Sequence, residues 1–351
     1  MTHLWVRAEQ RANETRVGIT PDGVTALIKA GFALTVEASD SRVIETQGYR
    51  ATGCNIAPEH TWPDAPNDAI IFGLKELPDD GSPLPHRHIM FGHAYKGQSA
   101  GRTLLQRFKA GGGALLDLEY LTNEAGRRVA AFGYWAGFAG AAVTLKCWAA
   151  QQRGDIAGPV TPYPNANALK AALAGEMNAT GSPAPTALII GALGRVGTGA
   201  ADLCRAMGVT VTGWDMAETA SGGPFPEILD HDLFFNCILA GPNTPAFVRP
   251  DAPTSPRTLT AIGDIACDPD SDFNPVQVYD RATTWSEPAL RVHDDPPLDV
   301  MAIDNLPSML PLESSEDFAG QLLPTLLDLA TDQSGVWARA KAIFDDHVKA
   351  V

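Results

Sequence analysis

A-L-I-I-G-A-L-G-R-V-G-T-G-A-A-D-L-C-R-A-M-G, Ala187 to Gly208, is the stretch on which the reading of the fold turns. Apolar residues run from Ala187 to Ile190, glycines follow at 191, 194 and 197, and helix formers continue to Gly208. That order is strand, tight turn, helix: a βα unit of a doubly wound sheet, with the glycines placed for a sharp bend, close approach of a phosphate and close helix packing. The spacing is G-x-x-G-x-x-G, looser than G-x-G-x-x-G, so the context has to carry the reading. It does. V-T-V-T-G-W-D follows as a second strand ending at Asp215, about 20 residues on, where an acidic side chain binds a ribose of a dinucleotide. An acid there favours NAD, because a 2′-phosphate would be repelled. Gly191, Gly194, Arg195, Val196, Gly197 and Asp215 are therefore the expected cofactor contacts.

Working outward, D-L-F-F-N-C-I-L-A (Asp232–Ala240) and T-A-I-G-D-I-A-C-D (Thr260–Asp268) extend the same sheet. Upstream lies an Ala- and Gly-rich segment, Trp135 to Gln152, suited to a helix in close contact with another, then a Pro/Gly-containing loop from Gly154 to Pro164. The N-terminal third repeats the alternation. Leu4–Ala8 and Phe32–Glu37 read as strands, with a helix between them opened by the cap Thr20-Pro21-Asp22-Gly23 and stopped at Gly31. Strands are expected at Ile70–Leu74, Ile89–His93 and Ala114–Leu118. The alternation predicts an α/β protein of two Rossmann-like domains with parallel sheets flanked by helices and a cleft between them.

The chain has 351 residues, a length that suits two domains. No apolar run is long enough for a membrane span, and M-T-H-L-W-V-R-A-E-Q-R does not read as a signal peptide. The five cysteines are scattered, with no C-x-x-C, which argues against a disulfide framework or a structural zinc site. No metal is expected. A formal charge of −15 speaks against nucleic acid or an anionic membrane as partner. The expectation is a cytoplasmic protein, a monomer rather than an oligomer, whose acidic ligands are met by a few locally placed cations.

Two such cations stand out. I-F-G-L-K-E-L-P ends a strand in Lys75 and Glu76, and F-G-H-A-Y-K follows another with His93 and Lys96. Taken alone, each would be a surface charge or a structural histidine. Placed together at carboxyl ends of strands beside a dinucleotide domain, they become candidates for acid–base chemistry.

These blocks, with R-A-E-Q-R-A-N-E-T-R-V-G-I-T-P, L-D-L-E-Y-L, G-R-R-V-A-A-F-G-Y-W-A-G-F-A-G-A and I-D-N-L-P-S-M-L-P, carry a resemblance that runs from Leu4 to about Val348. The sequence resembles the NAD-dependent, lysine-forming saccharopine dehydrogenases, within the alanine dehydrogenase and transhydrogenase family. The resemblance implies a substrate and catalytic domain from residues 1–132 plus 319–351, completed by helices at Glu313–Leu329 and Val336–Val348, and an NAD-binding domain from residues 133–318. It implies reversible oxidation of saccharopine to L-lysine and 2-oxoglutarate. Lys75 would be the base for the amine and His93 the acid–base group for imine hydrolysis, with Glu76 and Glu119 tuning the lysine. Arg16 and Arg128 match carboxylate-binding positions, and Lys96, Arg127 and Phe132 are further substrate candidates. Asp304 would contact the cofactor or the substrate, or else cap the turn at Leu306–Leu310. Fungal members carry a cysteine where this chain has Val196 and a lysine where it has Arg11, so no loop thiol can pair with Cys237 here. Two other readings stand beside this one: another amino-acid or opine-type dehydrogenase of the same family, and a non-catalytic NAD-binding protein.

Overall fold

The structure, a computed structural model, describes residues 1–351 except Ala12 and Asp268. The chain divides into two compact units, Met1–Ala131 with Leu312–Val351, and Phe132–Pro311.

The first unit is built on β1 (His3–Val6), α1 (Pro21–Lys29), β2 (Ala33–Glu37), α2 (Thr46–Arg50), β3 (Asn55–Ala57), β4 (Ile70–Phe72), β5 (Arg87–Met90), α3 (Ser99–Gly111) and β6 (Ala114–Asp117). Its six strands lie in the order β3-β2-β1-β4-β5-β6, every neighbouring pair parallel. The chain starts at the centre, walks out through β2 and β3, then returns to the other side of β1 with β4. That reversal makes a switch point between the carboxyl ends of β1 and β4, the place where such sheets bind ligands. Leu4, Val36, Ile70, Ile71, Ile89 and Leu115 are fully buried, as strands covered on both faces require. α1 starts where the sequence placed it, because Thr20 Oγ1 accepts the Gly23 N–H at 3.2 Å and Pro21 needs no partner for a missing donor.

The second unit begins with α4 (Gly133–Gln152) and α5 (Ala166–Asn178). It continues with β7 (Thr186–Ile190), α6 (Arg195–Ala206), β8 (Thr210–Trp214), α7 (Met216–Thr219), β9 (Leu233–Asn236), β10 (Ala261–Asp264), β11 (Leu290–Asp294) and β12 (Pro297–Met301). The order is β11-β12-β10-β9-β7-β8, parallel except for the antiparallel edge pair β11–β12. The small residues of α4 have the packing role expected of them. A methyl group on Gly137 would come 1.8 Å from the Val196 carbonyl oxygen and one on Gly199 would come 1.9 Å from that of Tyr134, so α4 and α6 meet backbone to backbone.

The chain ends in α8 (Pro311–Leu327) and α9 (Val336–Lys349), which pack on the first unit. Ser315 Oγ accepts the Val17 N–H at 2.9 Å, Phe318 lies against Phe91 with centroids 5.9 Å apart, and Phe344 lies edge-on to Phe108 at 5.7 Å.

Several expected strands are shorter than their apolar runs. Ile70–Leu74 becomes Ile70–Phe72, and Ile89–His93 becomes Arg87–Met90. Asp232–Ala240 becomes Leu233–Asn236, and Thr260–Asp268 stops at Asp264, its last residue lying outside the described residues. In the first unit the reason is visible: side chains, not neighbouring strands, take up part of the backbone hydrogen bonding beyond the strand ends. The short β3, helix α5 and the β11–β12 pair have no counterpart in the sequence reading.

Candidate active site

Lys75 and His93 follow adjacent strands. β4 and β5 pair Phe72 with Ile89, and the pairing outlasts the strands: Phe91 N–H donates to the Leu74 carbonyl at 3.0 Å. Lys75 comes immediately after that bond on one side, and His93 two residues after it on the other. The two loops therefore leave the same edge of the sheet.

The Lys75 loop is held from β1. Arg7 and Glu9, just beyond Val6, form a buried ion pair at 3.3 Å. The Glu9 carboxylate accepts the N–H groups of Leu74 (2.6 Å) and Lys75 (3.0 Å), while Arg7 Nη2 donates to the Lys75 carbonyl. These two side chains fix the lysine's backbone, and the sequence reading gave them no role. R-A-E sits just past the first strand, a position the sequence shows, but nothing local marks its burial at the switch point.

Arg16 is buried and held by Glu14 through two bonds, Nε to Oε1 at 2.8 Å and Nη2 to Oε2 at 2.6 Å. Burial would raise the Glu14 carboxyl, but the Arg16 bonds and the positive charge of Lys75 outweigh it and hold the acid below its ordinary range. Glu14 is thus a carboxylate that feels the lysine, one the sequence reading did not name. Glu76, which it did name, lies at the surface 3.7 Å from Arg11 Nε.

His93, Lys96 and Arg128 meet at Glu119. Arg128 Nη2 stands 2.8 Å and Lys96 Nζ 3.1 Å from Oε1; His93 Nδ1 stands 3.7 Å from Oε2, beyond a hydrogen bond but within reach of an ion pair once the imidazole is protonated. His93 first, then Lys96 and Arg128, hold the Glu119 carboxyl down at about 2, against the opposing pull of burial. Four of the expected residues, separated by up to 35 positions, are therefore one cluster. Arg127 belongs to the adjoining turn, where its N–H donates to Asn123 Oδ1 at 3.0 Å.

The second unit carries the glycine loop. Gly191 has φ +86°, and a methyl group on Gly197 would come 2.1 Å from the Gly191 carbonyl oxygen, so both positions need glycine. Gly194 starts α6 without a side-chain cap, followed by Arg195 and Val196, a helix start of the kind that binds anions. Asp215 closes β8. Its Oδ2 accepts the Leu193 N–H at 3.1 Å and its Oδ1 the Met216 N–H at 2.9 Å, so it joins the glycine loop to the next strand end. Leu193, Met216 and Leu239 are large apolar residues left exposed after β7, β8 and β9. An anion site at a helix start, a carboxylate after the second strand and unburied apolar side chains suit the phosphates, ribose and base of NAD. Phe132 precedes α4 in this unit as its N-cap. Asp304 is exposed, and the turn after it is not capped by it: the N-cap is Asn305, whose Nδ2 donates to Ser308 Oγ at 2.9 Å. No group of metal-ligating side chains occurs among the described residues, nor any helix long and apolar enough to cross a membrane.

Two Rossmann-type units, one with a dinucleotide-type glycine loop and the other with Lys75 and His93 beyond its strand ends, are the architecture of an NAD-linked dehydrogenase. Residues 5–139 match the model of the alanine dehydrogenase/PNT N-terminal domain. The chain belongs to the family of the NAD-dependent, L-lysine-forming saccharopine dehydrogenases. It is 45% identical to the enzyme of that name from Candida albicans, over 98% of this chain and 97% of that one. It is likewise 45% identical to that from Neurospora crassa, over 99% and 96%. Among solved structures an L-alanine dehydrogenase, 16% identical, superposes with a TM-score of 0.69 over 98% of this chain and 94% of its own, a likeness of fold.

Proposed function

We propose that this protein oxidises saccharopine with NAD to L-lysine and 2-oxoglutarate, reversibly, with the acid–base groups on the first unit and the cofactor on the second. The observation that carries the catalytic assignment is the delivery of Lys75 and His93 to the same sheet edge by the paired strands β4 and β5. Bound NAD supplies the hydride acceptor. Lys75 takes the proton of the secondary amine, so that its lone pair is available as the carbon on the glutarate side gives up hydride and the C=N bond forms. His93 takes a proton from the water that adds to that carbon and returns it to nitrogen; as the C–N bond breaks, the imidazole, neutral again, takes the hydroxyl proton and the C=O bond forms. Imidazole suits this exchange because its ordinary pKa of about 6.5 lies near neutrality. The amine departs as lysine and the carbon remains as the ketone of 2-oxoglutarate.

The substrate's carboxylates are met by Arg16, Arg128 and Lys96, with Phe132 as an apolar contact. Arginine's planar fork matches a carboxylate, and Glu14 and Glu119 hold two such forks in place. Asp215 and the glycine loop hold the ribose and phosphates, and Asp304 contributes from the last turn of the second unit. We further propose a cytoplasmic monomer, which light scattering on a sizing column tests against the chain's 37.2 kDa.

The test of function is turnover of saccharopine with NAD, lysine and 2-oxoglutarate being measured as products, beside a panel of alanine and other secondary-amine substrates. Saccharopine preferred at least about 100-fold in kcat/KM supports the reading. Equal or better turnover of alanine overturns it.

A further inference from the structure

Asp117 closes β6 with its side chain 1% exposed, and the mechanism above leaves it without a task. Its two oxygens reach two different loops. Oδ1 accepts the N–H of Glu119 at 2.9 Å, and Oδ2 accepts the N–H of Gly92 at 3.2 Å. Gly92 immediately precedes His93, whose φ of +47° is a conformation that side-chain-bearing residues seldom adopt. Gly92 also has to come close: a methyl group there would lie 2.4 Å from Leu115 Cδ2 and 3.2 Å from Asp117 Oδ2.

We infer that Asp117 is a positioning residue for the reaction, a two-armed backbone clamp that sets the imidazole of His93 against the carboxylate of Glu119. The inference rests on His93 being the acid–base group. A carboxylate is required because both partners are donors. An ionised side chain offers an acceptor on each arm, whereas an amide of the same shape offers one acceptor and one NH₂, which must face an N–H. The titratable groups around the clamp are Glu119 and Tyr120 on the turn after β6, and His93 and Tyr95 on the loop after β5, both phenols being neutral. Burial, helped by the charge of Glu119, pushes Asp117 up to about 6 even though its two N–H bonds and His93 act the other way. Protonation puts a hydrogen on one arm, so the clamp weakens as the pH falls through that value.

The experiment compares the whole enzyme with Asp117→Asn. The variant is expected to bind NADH within about twofold of the parent, since the glycine loop belongs to the other unit. Its kcat for saccharopine should fall at least tenfold with KM changed less than threefold, and the inflection near pH 6 should leave the kcat profile because the amide does not titrate. Asp117→Glu, with the charge kept on a longer arm, should recover part of the loss. A purely structural role would lower stability while leaving kcat and its pH profile in place, and a folded Asp117→Asn with that behaviour overturns the inference. Should Asp117→Asn fail to fold, the unmodified chain decides: the amide resonances of Gly92 and Glu119 should titrate together with a midpoint near 6. Separate midpoints, or none, refute the clamp. His93→Gln with full turnover would instead refute the role of His93, a failure that the amide titration distinguishes because it reports on the clamp alone.

Discussion

Removing the Glu119 charge tests the cluster most directly. Glu119→Gln keeps the shape and takes away the counter-ion of His93, Lys96 and Arg128, which stand 3.7, 3.1 and 2.8 Å from its oxygens. The carboxyl is held at about 2 where 4.5 is ordinary, and at about 1.4 kcal/mol per pKa unit that gap corresponds to about 3 kcal/mol. The partners' side chains are 56%, 55% and 41% exposed, so water and salt screen most of it; about 1 kcal/mol is the magnitude to expect. The sign follows from linkage. A depressed folded pKa gives stability that is fully present above the unfolded value of about 4.5 and is lost as the pH falls through about 2. Urea unfolding followed by the fluorescence of the first unit's tryptophans, at pH 7, 5, 4 and 3, should show the parent ahead of Glu119→Gln by about 1 kcal/mol at pH 7 and 5. The lead should shrink at pH 4 and 3, and 0.5 M salt should reduce it at pH 7. A gap independent of both pH and salt would mean that the Glu119→Gln substitution disturbs packing rather than charge, and the electrostatic account of the cluster would be wrong.

Three further outcomes can be checked on the same enzyme. Lys75→Met should slow the first NADH formation in rapid mixing with saccharopine by ~10²–10⁴-fold, whereas His93→Gln should slow steady turnover more than that first transfer; near-normal hydride transfer in Lys75→Met at every pH removes the lysine as amine base. Arg128→Ala should weaken saccharopine and 2-oxoglutarate by on the order of 2–5 kcal/mol with NAD affinity nearly intact, and unchanged saccharopine kinetics would assign Arg128 to the surface. The parent should prefer NAD over NADP by at least about tenfold, or about 1.4 kcal/mol. Asp215→Ala should narrow that preference, and equal use of both cofactors by the parent refutes the role of Asp215.

The glycine loop was the legible part of the fold, because its physics is local. Gly191 needs its positive φ and Gly197 its closeness to a carbonyl regardless of what surrounds them, and β7, α6 and β8 sit within a few residues of their expected bounds. The hidden strands are short and carry no sustained apolar run of their own. β3 is three residues long and pairs with β2, while β11 and β12 pair with each other across the cis Asp295-Pro296 bond. Of the site, Lys75, His93 and Glu119 could be named from spacing and resemblance, because each follows an apolar run that reads as a strand. Their supports could not. Arg7, Glu9, Glu14 and Asp117 look like ordinary charges in a chain where 19% of residues are charged, and only the tertiary fold buries them. Burial is what turns them from solvated groups into fixed hydrogen-bonding partners, and it has no local signature.

One architecture, present twice, is finished differently at its first strand end. In the second unit, β7 ends at Ile190 and α6 starts at Arg195, so the turn is short, rich in glycine and opens onto a helix start that attracts an anion. In the first unit, β1 ends at Val6 and α1 does not start until Pro21. The intervening chain places Arg7 and Glu9 at the strand end, and Glu14 with Arg16 beyond them. A pyrophosphate at that strand end would meet the Glu9 carboxylate, already bound to the backbone of Leu74 and Lys75. At the switch point of the first unit, Arg7 and Glu9 hold the lysine loop instead. The carboxyl edge of its sheet is left to titratable side chains, Lys75 and His93 among them, and to the Glu119 cluster with Lys96 and Arg128.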